Sequence, residues 1–239
     1  MSETLLPPEQ RLPALPWVTI PVWLADRLWS ITCVQSRREL AGDTVRSERD
    51  LYGFLLWEAA IGLAEELVQR RAQIAGTQVL ELGAGVGLPG LVAQSLGARM
   101  HQTDYQPDAL ALAQWNAQQN DIVGIETLLA DWRTWHHRER YDFILGADIL
   151  YEEALHFYLE AIFHRNLAPG GALLLADPGR PQALDFAVQL EAHGWHIELT
   201  TRSVPAVQGG AENVEVSILT ARLARFTTLA SSKKGAQLE

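Results

Sequence analysis

The sequence predicts a doubly wound α/β fold on a seven-stranded, mostly parallel sheet, with an antiparallel hairpin last and a small N-terminal extension. Three observations carry this. The apolar, β-type run Val79–Leu82, interrupted only by Glu81, opens into glycines at 83, 85 and 87, and Leu88–Leu96 then continues with helical periodicity. Glycines spaced this way let the backbone turn sharply between a strand and a helix and come close to a ligand. From residue 77 onward strand-like and helix-like segments alternate, and the last two strand-like segments have no helix of useful length between them.

Taken in order, residues 1–50 form the extension. They are proline-rich early (Pro7, Pro8, Pro13, Pro16, Pro21) and then carry strand-like pieces such as Trp29–Val34, which gives a small β element and not an independent domain. Apolar residues at helical spacing (Leu56, Ala60, Leu63, Ala64, Leu67) predict a helix from Leu55 to about Arg71. Strands follow near 77–82, 98–103, 125–130, 141–147, 171–176, 195–202 and 213–222, and helices near 88–96, 107–119, 152–166 and 181–193. Ala168-Pro169-Gly170-Gly171 and His193-Gly194 supply helix-ending turn chemistry. The main domain is 51–224, and 225–239 reads as a flexible tail whose Leu238-Glu239 has the look of a cloning remnant.

Composition sets outer limits. At 239 residues and 48% hydrophobic, the chain can bury one large core. No apolar stretch has the length of a bilayer span, the first residues lack a secretory signal's features, and Cys33 is the single cysteine, so a soluble cytoplasmic protein without an intrachain disulfide is expected. A net charge of −10 disfavours a duplex nucleic-acid partner. No metal is expected: His136-His137 lies in a polar stretch with Arg133, Arg138 and Arg140 that reads as a solvated loop.

The second predicted strand ends in Asp104, where a βαβ unit hydrogen-bonds a ribose, so the glycine turn and this acid together read as a site for a nucleoside-containing cofactor. A dinucleotide fingerprint wants its third glycine where Leu88 stands, and a phosphate loop needs a Gly-Lys-Ser/Thr that is missing. The form acid-x-Gly-x-Gly-x-Gly, with Glu81 two residues before Gly83, instead resembles the first motif of class I S-adenosylmethionine-dependent methyltransferases. That cofactor carries an ammonium and no phosphate, so a nearby acid is an asset. A nicotinamide or flavin cofactor, or a glycine turn that binds nothing, are the alternatives.

Ligands of open α/β sheets sit beyond the carboxyl ends of the strands. The fourth strand ends there in Ala147-Asp148-Ile149-Leu150-Tyr151. Asp148 and Tyr151 can face one side as the strand turns; equally, Asp148 can cap the next helix while Tyr151 packs. The Asn-Pro-Pro-Tyr-like motif of enzymes acting on exocyclic or glutamine amides is absent, and no cysteine stands near this tip for cytosine C5 chemistry.

The glycine motif, Asp131-Trp132 after the third strand and Asp148-Ile149-Leu150-Tyr151 together resemble the family-16 seven-β-strand protein methyltransferases, whose signature is Asp/Glu-x-x-Tyr after the fourth strand. Leu56-Trp57-Glu58-Ala59-Ala60 and Ala176-Asp177-Pro178-Gly179-Arg180-Pro181 add to the likeness, the latter being similar to the electron-transfer-flavoprotein β-subunit lysine methyltransferase and its bacterial relatives. The resemblance covers about residues 50–222. It implies a Rossmann-like class I methyltransferase fold, S-adenosylmethionine as cofactor and a protein substrate with an accessible lysine. By position it implies that Trp57 closes over the cofactor, Gly83 and Gly85 contact its methionine part, Asp104 bonds the ribose, Trp132 flanks the adenine and Ala147 lines the site. Glu81, Ala84, Tyr105 and Asp131 complete the cofactor set, and Asp148 and Tyr151 border the acceptor channel as the catalytic pair. Asp177 and Arg180 can equally form only a structural ion pair. Two rival readings stand beside this one. A small-molecule N-methyltransferase acting on nicotinamide-like amines would use residues 1–50 as a lid, and a non-catalytic cofactor-binding or interaction protein would need a damaged site.

Overall fold

A computed structural model describes residues 6–24, 26–35, 51–207 and 212–223. A short helix α1 (Pro8–Arg11) leads into an antiparallel hairpin of β1 (Trp17–Leu24) and β2 (Arg27–Val34), in register from Trp17 opposite Val34 to Leu24 opposite Arg27. A 3-10 turn at Tyr52–Phe54 precedes α2 (Glu58–Gln69) and the single turn α3 (Arg71–Ile74). The alternating part then runs β3 (Gln78–Leu82), α4 (Leu88–Ser95), β4 (Arg99–Asp104), α5 (Pro107–Gln119), β5 (Glu126–Leu129), β6 (Tyr141–Ala147), α6 (Glu153–Asn166), β7 (Leu167–Asp177), α7 (Pro181–Ala192), β8 (Trp195–Pro205) and β9 (Asn213–Leu223). The seven-stranded sheet has the order β5-β4-β3-β6-β7-β9-β8, and only the two pairings made by β9 are antiparallel. This is the doubly wound, mostly parallel sheet with a final antiparallel hairpin that the sequence predicts.

Strand periodicity divides the core. Val79, Leu145 and Leu174 pack on one face with Leu63 and Leu67 of α2, Leu91 of α4 and Leu112 of α5. Their chain neighbours Leu80, Ile144 and Leu173 pack on the other with Phe163 of α6 and Phe186 and Leu190 of α7. Each central strand is covered on both faces, which is why its sequence reads as a near-continuous apolar run.

Local departures from the sequence reading have physical causes. The expected β element at Trp29–Val34 has a partner, β1, masked in the sequence by its prolines; Pro21 is tolerated opposite Ser30 in a two-stranded hairpin. The helix expected from Leu55 starts at Glu58, because Leu55 and Trp57 are extended (ψ 143° and 146°). β7 starts at Leu167, ahead of the predicted 171: Leu167 pairs with Tyr141 before the register shifts to Ala172 against Phe143. Ala168-Pro169-Gly170-Gly171 follows the end of α6 at Asn166 as read, and it also forms a strand irregularity within β7. The expected tail 225–239, residues 36–50 of the extension and 208–211 lie outside the described residues.

The β3–α4 turn is built on left-handed backbone: φ is 66° at Gly83, 52° at Gly85 and 88° at Gly87. Neighbouring groups fix it. Ala84 N–H donates to Thr103 O at 2.9 Å, and Gly87 N–H donates to Ala84 O at 2.8 Å. Gln102 Nε2 donates both to Gly87 O at 2.9 Å and to Glu81 Oε2 at 2.8 Å. Glu81 is 1% exposed. Burial pushes its carboxyl up to about 8, against the hydrogen bonds from Gln102 and the Gly90 backbone. The folded chain thus keeps a proton that the unfolded chain releases in the ordinary glutamate range, so this group's contribution to stability falls as pH rises from that range through about 8. Glu81→Gln can accept the same hydrogen bonds without a charge. Urea unfolding between about pH 5 and pH 8 should show a weaker loss of stability with rising pH in Glu81→Gln than in the wild type. Equal pH slopes would contradict this role for Glu81.

Candidate functional site

A cavity of about 370 Å³ opens at the carboxyl ends of β3, β4 and β6, where the strand order reverses beside β3. Every site residue the sequence singled out lines it: Glu81, Gly83, Ala84 and Gly85 from β3 and its turn, Asp104 and Tyr105 after β4, Asp131 and Trp132 after β5, Ala147, Asp148 and Tyr151 after β6, and Trp57 ahead of α2. The two inner glycines are needed for space as well as for conformation. A Cβ on Gly83 would lie 3.0 Å from Ile149 Cγ2 and 3.3 Å from the Trp132 ring, and one on Gly85 would lie 3.2 Å from Gly53 O.

The acids differ in what holds them. Asp104, 5% exposed, accepts from Gly85 N–H at 3.1 Å and Gln106 N–H at 3.0 Å. Burial raises its carboxyl above the ordinary range, and these backbone donors oppose that rise. Asp131 is engaged by Arg133, whose Nη2 lies 2.6 Å away, and this guanidinium holds the carboxyl below its ordinary range. Glu81 lines the cavity, and its carboxyl is engaged by Gln102 and the Gly90 backbone while burial favours its neutral form.

Asp148 caps no helix; the N-cap of α6 is Glu152. It sits at φ 57° with its N–H donating to Ala176 O at 2.8 Å, and a left-handed aspartate directly after a strand aims its side chain across the end of β7. There Arg180 grips both carboxylate oxygens, Nη1 on Oδ1 and Nη2 on Oδ2 at 3.2 Å. The same Nη1 donates to Asp177 Oδ2 at 3.0 Å, and Arg180 N–H donates to Asp177 Oδ1 at 2.7 Å. The Asp177–Arg180 pair is thus one half of a three-residue bridge that reaches the cavity. Burial raises the Asp148 carboxyl and the Arg180 guanidinium opposes it. Burial works against the Arg180 charge, but the two aspartates outweigh it and hold the guanidinium above its ordinary range.

The cavity mouth is aromatic. Tyr52 meets Trp57 edge-on at 5.8 Å and Tyr151 at 6.1 Å, and Trp57 Nε1 donates to Tyr52 O at 3.1 Å. Burial pushes the Tyr151 phenol up to about 12, so it stays protonated at neutral pH. Sequence reasoning missed Tyr52, Gly53 and Leu55 as cavity residues; their only signal was adjacency to Trp57. It left the role of Arg180 open. Among the described residues, no group of three or more His, Cys, Asp or Glu could hold a metal ion, and no helix is long and apolar enough to cross a membrane.

Comparison with known proteins places this geometry. The chain is 31% identical over 173 residues to the mouse EEF1A lysine methyltransferase 3, covering 70% of this chain and 71% of that one. It is 35% identical over 107 residues to the Xenopus laevis histone-arginine methyltransferase METTL23, covering 42% of this chain and 46% of that protein, so the chain spans about half the length of that relative. A solved structure, the T. thermophilus 16S rRNA N2 G1207 methyltransferase RsmC in complex with AdoMet and guanosine, superposes with a TM-score of 0.59 at 20% identity, covering 89% of this chain and 52% of that one, and shares the fold. The family described as lysine methyltransferase matches residues 43–187, more than half of the sequence. The chain belongs to the lysine methyltransferase family.

Proposed function

We propose that this protein is an S-adenosylmethionine-dependent N-methyltransferase whose acceptor is a lysine side chain of another protein. The observation that carries this is the pairing, in one cavity, of a glycine turn facing Asp104 at the inner end with Asp148 and an aromatic mouth at the outer end. The residues present fit the cofactor: Gly83 and Gly85 bring bare backbone to the cavity wall where a Cβ would press on Ile149, Trp132 or Gly53 O, and Asp104, with acceptor capacity beyond its backbone donors, suits ribose hydroxyls. Trp57, Ala84, Tyr105, Asp131, Trp132 and Ala147 would line the rest of its seat. When bound, the cofactor supplies a methyl group already activated on a sulfonium.

The chain's own work is to present a neutral amine in line with that methyl, an alignment worth roughly 7–11 kcal/mol of barrier. A lysine ammonium, with a reference pKa of about 10.4, must first lose a proton, which passes to bulk water as the side chain enters the mouth. The Tyr52, Trp57 and Tyr151 rings exclude water and disfavour the ammonium. Asp148 accepts a hydrogen bond from the amine and aims its lone pair. On its own its charge would hold the amine proton in place; Arg180, bridged to both oxygens, cancels that charge while fixing the carboxylate's direction.

The small-acceptor reading offers residues 1–50 as a source of a lid. No described residue before Tyr52 lines the cavity, so nothing in the hairpin supports that reading. A cytoplasmic setting is part of the proposal, in keeping with a single, buried cysteine whose thiol burial pushes up to about 11.

Incubation with radiolabelled S-adenosylmethionine and a lysate of the source cells should label a polypeptide on lysine, and Asp148→Ala should lower the labelling rate at least about tenfold. Label only in small molecules, or none, would refute the proposal. Arg180→Gln should displace the rate's pH dependence to higher pH, because the uncancelled carboxylates retain the amine proton, while Arg180→Lys stays near the wild-type profile. An unmoved Arg180→Gln profile would remove Arg180 from the chemistry.

A further inference from the structure

The N-terminal hairpin lines none of the cavity, yet it is tied to the glycine turn by a single buried side chain. Asn116 of α5 is fully buried. Its Oδ1 accepts from Thr32 N–H at 2.8 Å, and its Nδ2 donates to Thr32 O at 3.0 Å and to Val86 O at 2.9 Å. Both amide hydrogens are used, one on the hairpin and one on the turn. The partners fix the orientation of the amide: flipped, its NH2 would face the Thr32 N–H and its oxygen two carbonyls. One helical turn on, Asn120 makes the same pair of bonds to Ser30, with N–H to Oδ1 and Nδ2 to O both at 2.9 Å. Four residues of helix rise about 6 Å and two residues of strand about 6.6 Å, so the two amides match the free edge of β2 and complete it as another strand would. Only Asn116 reaches through to the turn.

Val86 lies between two left-handed glycines, and its carbonyl belongs to the same peptide unit as Gly87 N–H, which closes the turn onto Ala84 O. Holding that carbonyl therefore sets the plane of the peptide that enters Gly87, the N-cap of α4. A second tie runs from the next hairpin residue: the Leu56 backbone hydrogen-bonds the buried Cys33 thiol, between Leu55 and Trp57 of the cavity wall.

We propose that Asn116 is a positioning residue that couples the hairpin to the glycine turn, so that order in the hairpin and occupancy of the cofactor pocket stabilise one another. This rests on the cofactor reading above. Coupling between two sites is reciprocal, so ligand in the pocket must protect the hairpin to the extent that the hairpin supports the ligand.

The test uses S-adenosylhomocysteine as the probe, with the full chain. Calorimetry should give a Kd at least about tenfold weaker for Asn116→Ala than for the wild type, the cost of freeing one buried carbonyl at the turn. Asn120→Ala, which loosens the same hairpin but leaves the Val86 carbonyl bonded, should weaken binding by less than Asn116→Ala. Hydrogen exchange of the wild type should show the Thr32 amide protected further on adding S-adenosylhomocysteine, which requires no variant to fold. Equal affinity of Asn116→Ala and wild type, or no change at Thr32 in a wild type that binds, would overturn the coupling alone. Failure of the wild type to bind S-adenosylhomocysteine would overturn the cofactor reading and the coupling with it.

Discussion

The site depends on one constraint: the backbone between β3 and α4 must be held in left-handed conformation against the tip of β4. Three glycines permit it, but permission is not order; glycine loses more freedom on folding than any other residue. The order comes from outside the turn. Thr103 O receives Ala84 N–H, Asp104 receives Gly85 N–H, Gln102 clamps Gly87 O and Asn116 clamps Val86 O. Three of these four come from the last residues of β4, so the turn is correct only if β4 pairs with β3 in the register Leu82 opposite Thr103. A slip of one residue would turn Asp104 away from Gly85 and bury it without its donors.

Three acids stand near this turn, and each is accommodated differently. Glu81 is kept neutral by burial, Asp104 is bonded by backbone amides, and Asp148 is gripped by a guanidinium. These solutions assign different work. A neutral Glu81 is scaffold. Asp104 lines the cavity with a carboxylate of the kind the proposed ribose contact needs. Asp148 keeps a carboxylate's direction with much of its charge cancelled, as the acceptor role proposed above requires. The positive φ of Asp148 and the bridge to Asp177 show backbone and side chain arranged for that placement together.

Much of this was legible in the sequence because it rests on local chemistry. Glycine spacing, strands buried on both faces and the Asp-x-x-Tyr after the fourth strand are all patterns within a few residues. What escaped was long-range. Asn116 and Asn120, at the end of α5 and its C-cap, carry no signal of their own, since nothing nearby says that a strand edge 84 to 90 residues earlier will meet them. β1 was hidden because Pro21 argues against a strand unless the strand is at an edge, and an edge is a property of the whole fold. Arg180 lay in a motif already noted beside Asp177, but its grip on Asp148 requires β6 and β7 to be neighbours, which only the sheet order supplies.

The central claim is that the β3–α4 turn and Asp104 together seat an adenosyl ligand. A crystal structure with S-adenosylhomocysteine tests it most directly. The account expects the ribose hydroxyls on the Asp104 carboxylate, the amino-acid end against Gly83 and Gly85, and the sulfur facing Asp148. Density for the ligand elsewhere, or an Asp104 carboxylate bonded only to backbone amides with the ribose out of reach, would contradict it.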